Sequence, residues 1–364
     1  MKPLYLVGTR RNVGKTTLAL GLLHALRQRG LKVGYMKPLG QRVTSDHGHV
    51  IHDDARLVAS FLGQSRDDQV EMAVPLPSGR VEEEVQDLQT EKLLSKVREG
   101  YSALAEPNDL VIVEAMGHVA MGSCLGLSAG DVARELGAKT LLVSGGGVGR
   151  AIDNISLCET FLTARGAEFM GVVINQVWPS KYGKVYRATV QGLRNIGIKT
   201  YGVVPFEEQL SAPKMEQVYA HIGGEIVAGA EHMDRRVQNT IVAAMEASHM
   251  VRYLQRSTLV ITPGDRTDNI LASLSTQMLG DLADQTIAGL ILTGGFRPDG
   301  TVMRLVAESH LPVIMVPEDT YSVASKIREA VFKISPDDGE RIQWAVCLVS
   351  EYVDVDGIVE ALQT

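Results

Sequence analysis

The stretch from Leu4 to Thr17, Leu-Tyr-Leu-Val-Gly-Thr-Arg-Arg-Asn-Val-Gly-Lys-Thr-Thr, leaves the chain little freedom. Its apolar opening predicts a buried strand that Gly8 ends. Leu18, Leu22 and Leu26 then follow at helical spacing until Gly30 stops the helix. A strand, a glycine loop and a helix N-terminus in immediate succession form an anion site. The first-turn N–H groups have no helical acceptor, and the helix dipole favours negative charge. Asn12, Val13, Gly14, Lys15, Thr16 and Thr17 are therefore the candidate nucleotide-binding residues. Lys15 is placed to reach the β- and γ-phosphates, and the Thr16 hydroxyl to ligate Mg²⁺. A bare glycine-rich turn would leave the Lys15-Thr16 pair unexplained.

Alternation of strand-like and helical patterns continues to about residue 210. Strands are predicted at Leu4–Val7, Leu31–Met36, Leu110–Glu114, Lys139–Ser144, Phe169–Asn175 and Lys199–Pro205. Helices are predicted at Thr17–Arg29, Glu91–Ala105, Ala151–Ala164 and Tyr186–Ile196. Near-continuous apolar strands separated by helices imply an α/β fold, a doubly wound and mainly parallel sheet covered on both faces. Ligands of such sheets bind beyond the carboxyl ends of the strands, so polar residues at those ends become site candidates. Lys37-Pro38 follows the second strand. Lys37 is read as a cation for an anionic substrate or the transferred phosphoryl group, with a solvated strand-end lysine as the alternative. Glu114 ends the third strand and, with Asp54 at the start of a helix, is a candidate Mg²⁺ carboxylate. Asn175 offers an amide to the edge of an adenine. Gly145–Gly149 lacks dinucleotide spacing and is read as a tight turn.

Three histidines and three aspartates between Asp46 and Asp54 admit a transition-metal reading. The reading preferred here uses only Asp53-Asp54-Ala55 as a helix start. With 364 residues the chain is long for one domain. A net charge of −7 without a basic tract argues against nucleic acid as a partner. No apolar run approaches the roughly 18 residues of a membrane span, and no signal peptide is apparent. Cys124, Cys158 and Cys347 read as small buried hydrophobes in a reducing, cytoplasmic setting.

Over residues 1–215 the chain resembles dethiobiotin synthetase, and more closely the similar N-terminal region of long phosphotransacetylases. The resemblance rests on Gly8-Thr9, Val13-Gly14-Lys15-Thr16, Met36-Lys37-Pro38, Asp54-Ala55, Val113-Glu114, Ile174-Asn175 and Gly202-Val203-Val204-Pro205. The five residues between Gly8 and Gly14, one more than the common loop, belong to this branch of P-loop proteins. The resemblance implies Mg·ATP as ligand, with Lys15 and Lys37 as catalytic candidates. It also implies Thr16, Asp54 and Glu114 on the metal, Asn175 and Pro205 by the adenine, and a homodimer. Arg10-Arg11, Leu39-Gly40-Gln41 and Ala115-Met116-Gly117-His118 depart from the synthetase. They leave the second ligand as an unassigned anionic small molecule.

Residues 216–335 resemble the DRTGG domain, a smaller α/β unit. Asp265-Arg266-Thr267 matches its motif, and Asp268-Asn269 replaces the two glycines. A helix is expected over Arg235–Leu254, with strands at Thr258–Thr262, Ala288–Leu292 and Pro312–Val316. Residues 336–364 are expected to be a closing helical segment. Two functions follow. One is an ATP-binding regulatory or sensing protein without phosphate acetyltransferase activity of its own. The other is an ATP-dependent synthetase in which a carboxylate or carbamate attacks the γ-phosphate.

Overall fold

The computed structural model describes residues 1–41, 43–46, 49–63, 70–76, 79–279 and 286–364. The chain forms two compact units, Met1–Glu207 with Ile334–Thr364, and Glu208–Lys333.

The first unit is built on strands β1 (Leu4–Gly8), β2 (Val33–Gly40), β5 (Val70–Pro75), β6 (Leu110–Glu114), β7 (Lys139–Gly145), β8 (Glu168–Val177) and β9 (Thr200–Pro205). They lie in the order β5-β2-β6-β1-β7-β8-β9. Every pairing is parallel. A separate antiparallel hairpin, β3 (Val43–Asp46) and β4 (His49–His52), precedes β5. Helices α1 (Lys15–Gln28), α2 (Asp53–Leu62), α3 (Arg80–Gln86), α4 (Thr90–Ala105), α5 (Ala129–Leu136), α6 (Gly149–Ala164) and α7 (Tyr182–Asn195) connect the strands. All five residues of β1 are buried. Tyr5 and Val7 join a core with Leu93 and Val97 of α4, while Leu4 and Leu6, equally buried, point to the opposite face. A sheet covered on both faces needs no polar alternation, which is why these strands read as unbroken apolar runs.

The second unit holds helices α8 (Glu208–Ser211), α9 (Met215–Ile222), α10 (Ala247–Met250), α11 (Thr267–Leu279), α12 (Gly300–Glu308) and α13 (Thr320–Glu329). Its strands are β10 (Glu225–Ala228), β11 (Asn239–Val242), β12 (Thr258–Pro263), β13 (Ile287–Thr293) and β14 (Val313–Met315), in the order β10-β14-β13-β12-β11. Only β10 runs antiparallel. The helix expected over Arg235–Leu254 is not formed. Thr240, Ile241 and Val242 are β-branched and extend instead, pairing in parallel with Leu259, Val260 and Ile261.

The chain then returns to the first unit as α14 (Gly339–Tyr352) and α15 (Val355–Gln363), so the closing segment is helical and belongs to that unit. Gly21 of α1 makes this docking possible, because a Cβ there would overlap the Val349 side chain of α14. Asp354 donates its backbone N–H to Tyr201 O at 2.7 Å, and Lys139 Nζ donates to Ala361 O at 2.6 Å. The cysteines differ from expectation, since Cys158 is buried but Cys124 and Cys347 are exposed. Among the described residues, no helix is long and apolar enough to cross a membrane.

Candidate functional site

The carboxyl end of β1 lies between β6 and β7, and the loop 9–14 leaves the sheet there. Asn12 and Gly14 both adopt left-handed backbone, with φ of 57° and 93°. Gly14 could not be another residue. Its φ disfavours any side chain, and a Cβ would also overlap the Asn175 amide. Helix α1 then starts at Lys15 with no side-chain cap and no acidic residue in its first turn. The helix thus carries no acidic residue of its own in its first turn, which leaves its N–H groups open to an external anion. Lys15 is buried, and its Nζ donates to Gly117 O at 2.7 Å in the loop after β6.

Beside this loop a group of buried charges converges. Lys37 Nζ donates to Asp54 Oδ2 at 2.6 Å and to Glu114 Oε1 at 2.8 Å. Thr16 donates its hydroxyl to the same Glu114 Oε1 at 2.9 Å, and Tyr35 OH donates to Glu114 Oε2 at 2.8 Å. The Lys37, Asp54 and Glu114 side chains are at most 5% exposed. Burial alone lowers the Lys37 pKa, but the two carboxylates outweigh it and hold the ammonium firmly protonated. Burial, followed by Glu114, raises the Tyr35 pKa well above its ordinary value, so this phenol stays a neutral donor. His52 caps α2, with Nδ1 accepting the Asp54 backbone N–H at 3.0 Å.

Two carboxylates that meet at one ammonium, and a hydroxyl bonded to one of them, make a set of oxygen donors suited to a small hard dication. Thr16, Asp54 and Glu114 were each expected there, and the structure brings the three together. Lys37 joins them, although it does not stand beyond the strand. Strand β2 runs through Lys37 and Pro38 to Gly40, and Lys37 and Leu39 pair with Met72 and Val74 of β5. On its other side β2 pairs with β6 only as far as Met36 and Val113. Pro38 thus sits where no neighbour asks for its missing N–H. Tyr35 was not anticipated, yet it lies two residues before Lys37 and so on the same face of β2, which is a signal the sequence carries.

Asn175 also does not end its strand, because β8 continues to Val177. Its amide donates to Val13 O at 2.9 Å and accepts the Gln176 backbone N–H at 2.9 Å. The residue therefore braces the phosphate loop directly. Gln176, at φ 59°, adds to the brace by donating to Asn12 O at 3.1 Å and accepting from Arg10 Nη2 at 2.9 Å. Arg11 Nη2 donates to Gln41 Oε1 at 3.4 Å, so both loop arginines have partners on neighbouring segments. Pro205 closes β9 opposite Val177, and Phe206 beyond it packs on Trp178 with ring centroids 4.6 Å apart. The histidine- and aspartate-rich stretch forms the hairpin and the start of α2. His47 and Gly48 lie outside the described residues, as do the side chains of Asp46, His49, Val50 and Ile51.

In the second unit Asp265-Arg266-Thr267 occupies the turn from β12 to α11. The Arg266 guanidinium grips both Asp268 oxygens at 2.9 Å and reaches Met245 O at 2.9 Å. Buried Asn269 donates to Ala243 O at 2.9 Å. The motif as it stands here fastens the 243–245 segment to α11.

A family profile described as AAA domain matches residues 2–214, and one described as DRTGG domain matches residues 217–330. Phosphate acetyltransferase of Pseudomonas putida is 28% identical over 374 residues, spanning 97% of this chain and 51% of the relative. That of Deinococcus radiodurans is 29% identical over 367 residues, spanning 97% and 50%. The chain thus spans about half the length of the curated relatives it matches. Among solved structures, the septum site-determining protein MinD of Pyrococcus horikoshii, complexed with Mg-ADP, aligns at 15% identity and a TM-score of 0.37. That alignment covers 58% of this chain and 83% of MinD. The chain belongs to the AAA-domain family, as a P-loop domain of nucleotide-binding, ATPase-like type followed by a DRTGG domain, consistent with the N-terminal region of long phosphotransacetylases.

Proposed function

We propose that the first unit binds Mg·ATP and that its occupancy drives a regulatory or sensing output, as the N-terminal part of a phosphotransacetylase would. The observation that carries this is the convergence of Thr16, Asp54 and Glu114 beside an uncapped phosphate loop. Asn12–Thr17 wrap the phosphates, with the Lys15 ammonium set against their charge. Thr16, Asp54 and Glu114 hold Mg²⁺, which when bound neutralises the phosphate oxygens. Lys37 adds a second cation on the γ-phosphate side. Asn175 and Pro205 border the adenine, the amide keeping one N–H and one lone pair beyond those it gives to the chain. The protein acts in the cytoplasm as a homodimer, and a small anion is its second ligand.

Calorimetric titration of Mg·ATP, with turnover followed in parallel, tests the reading. The expected result is binding that weakens about tenfold or more in Lys15→Ala, as loss of a charge-assisted hydrogen bond implies. Hydrolysis should be slow and indifferent to added small carboxylates. Unchanged affinity in Lys15→Ala removes the phosphate site. Turnover accelerated by a carboxylate replaces the sensing output with synthetase chemistry.

A further inference from the structure

We infer that Lys37 is an exchangeable cation. Its ammonium occupies the divalent-metal position while that position lacks metal, and it moves to the γ-phosphate when metal and nucleotide load together. The inference rests on the Mg·ATP reading and concerns what that reading does not address, the switching of this lysine between two partners.

Three observations lead here. Lys37 Nζ lies 2.6 Å from Asp54 Oδ2 and 2.8 Å from Glu114 Oε1, and Thr16 Oγ1 meets the same Glu114 oxygen at 2.9 Å. A dication on those oxygens would stand about 2.0–2.1 Å from each. The ammonium fills the space such an ion needs, so the two cannot share it. Charge gives the same answer. Two carboxylates balance one dication, whereas a dication and an ammonium held together there would leave a buried positive charge with no counterion. Finally, the backbone of Lys37 is fixed in β2 by pairing with Met72. Only the four-carbon stem is left to move, and it is a flexible one.

The exchange has a consequence for order. Without nucleotide, a metal must evict Lys37 and leave its charge unpaired. With ATP present, the phosphates offer Lys37 a new partner, so the metal enters with less opposition. Lys37 thereby makes metal loading depend on nucleotide, a coupling that works in both directions.

The test uses the full chain and Mn²⁺ alone, with free ion counted by electron paramagnetic resonance. Lys37→Met is expected to bind Mn²⁺ at least about tenfold more tightly than the native protein, because the competing charge is gone. The gain should vanish in Lys37→Met/Asp54→Asn. Equal or weaker binding in Lys37→Met overturns the exchange, as does a gain that survives loss of Asp54. Should Lys37→Met not fold, the native protein answers by lysine acylation read by mass spectrometry. Lys37 should be protected alone and labelled faster at saturating Mn²⁺, and unchanged labelling overturns the inference. The underlying reading is judged separately on Asp54→Ala and Glu114→Ala. Both should weaken Mg·ATP more than metal-free ATP. If they do so while Lys37→Met shows no gain, only the exchange falls. If both forms of ATP weaken equally, the metal site itself falls.

Discussion

Removing the Lys37 ammonium should be among the most damaging single changes in the first unit. At separations of 2.6 and 2.8 Å, each ion contact is worth about 6 kcal/mol at an effective dielectric of about 20. Most of that is spent in taking three charges out of water. The net loss is better judged from other buried pairs, where deleting one partner costs about 3–5 kcal/mol because the other charge stays buried and uncompensated. Lys37→Met is therefore expected to lose about 3–5 kcal/mol at neutral pH. Lys37→Met/Asp54→Asn/Glu114→Gln, with no charge left to strand, should recover most of it. The assay is available in the chain itself. Both tryptophans, Trp178 and Trp344, belong to the first unit, so their fluorescence in urea reports that unit alone. The pH dependence has a definite sign. The folded pKa of Lys37 lies above its unfolded value, so its contribution is complete below about 10.4 and is lost as pH rises through the folded value. Native stability should thus show no Lys37-dependent loss between pH 6 and 9. A Lys37→Met penalty below about 1 kcal/mol at pH 7, or a triple variant no better than the single, would refute the charge argument.

Gly21→Ala should destabilise the α1–α14 contact by about 1–3 kcal/mol through overpacking, and Val349→Ala should relieve part of that cost in the double variant. Urea midpoints read by the same tryptophans check this, and additive losses would place the clash elsewhere. Burial pushes the Cys158 thiol up to about 11, while Cys124 and Cys347 are exposed. At pH 8 a disulfide reagent should modify two thiols quickly and Cys158 only on unfolding, so three equally fast thiols would contradict the burial.

The parallel sheet was legible because its strands are buried on both faces and show as unbroken apolar runs. What escaped were strands whose identity is conferred by a neighbour. Val70–Pro75 carries Glu71 and ends in proline, yet it completes the sheet by pairing with Tyr35–Gly40 of β2. Asn239–Val242 sits in a stretch with enough alanine and methionine nearby to suggest a helix, and its extended form depends on the register with Thr258–Ile261. Neither signal is local, so no window along the chain could have resolved it.

The site divides the same way. Thr16, Lys37, Asp54 and Glu114 could be collected one at a time, because a parallel sheet delivers polar strand-end residues to a common edge. Their mutual arrangement could not be collected so, since it depends on register. Strand β2 pairs Met36 with Val113, which sets the next residues, Lys37 and Glu114, side by side. A shift of one residue would turn Lys37 to the opposite face, toward the side Met36 now occupies, and leave Asp54 and Glu114 facing each other unshielded. Read as separate strand-end residues, the lysine belonged to the substrate and the carboxylates to the metal. Read at 2.6 and 2.8 Å, they form one ionic unit whose members must part before either role begins. The two pictures make opposite predictions for metal affinity when Lys37 is removed. Independent roles leave it unchanged, and a shared position raises it.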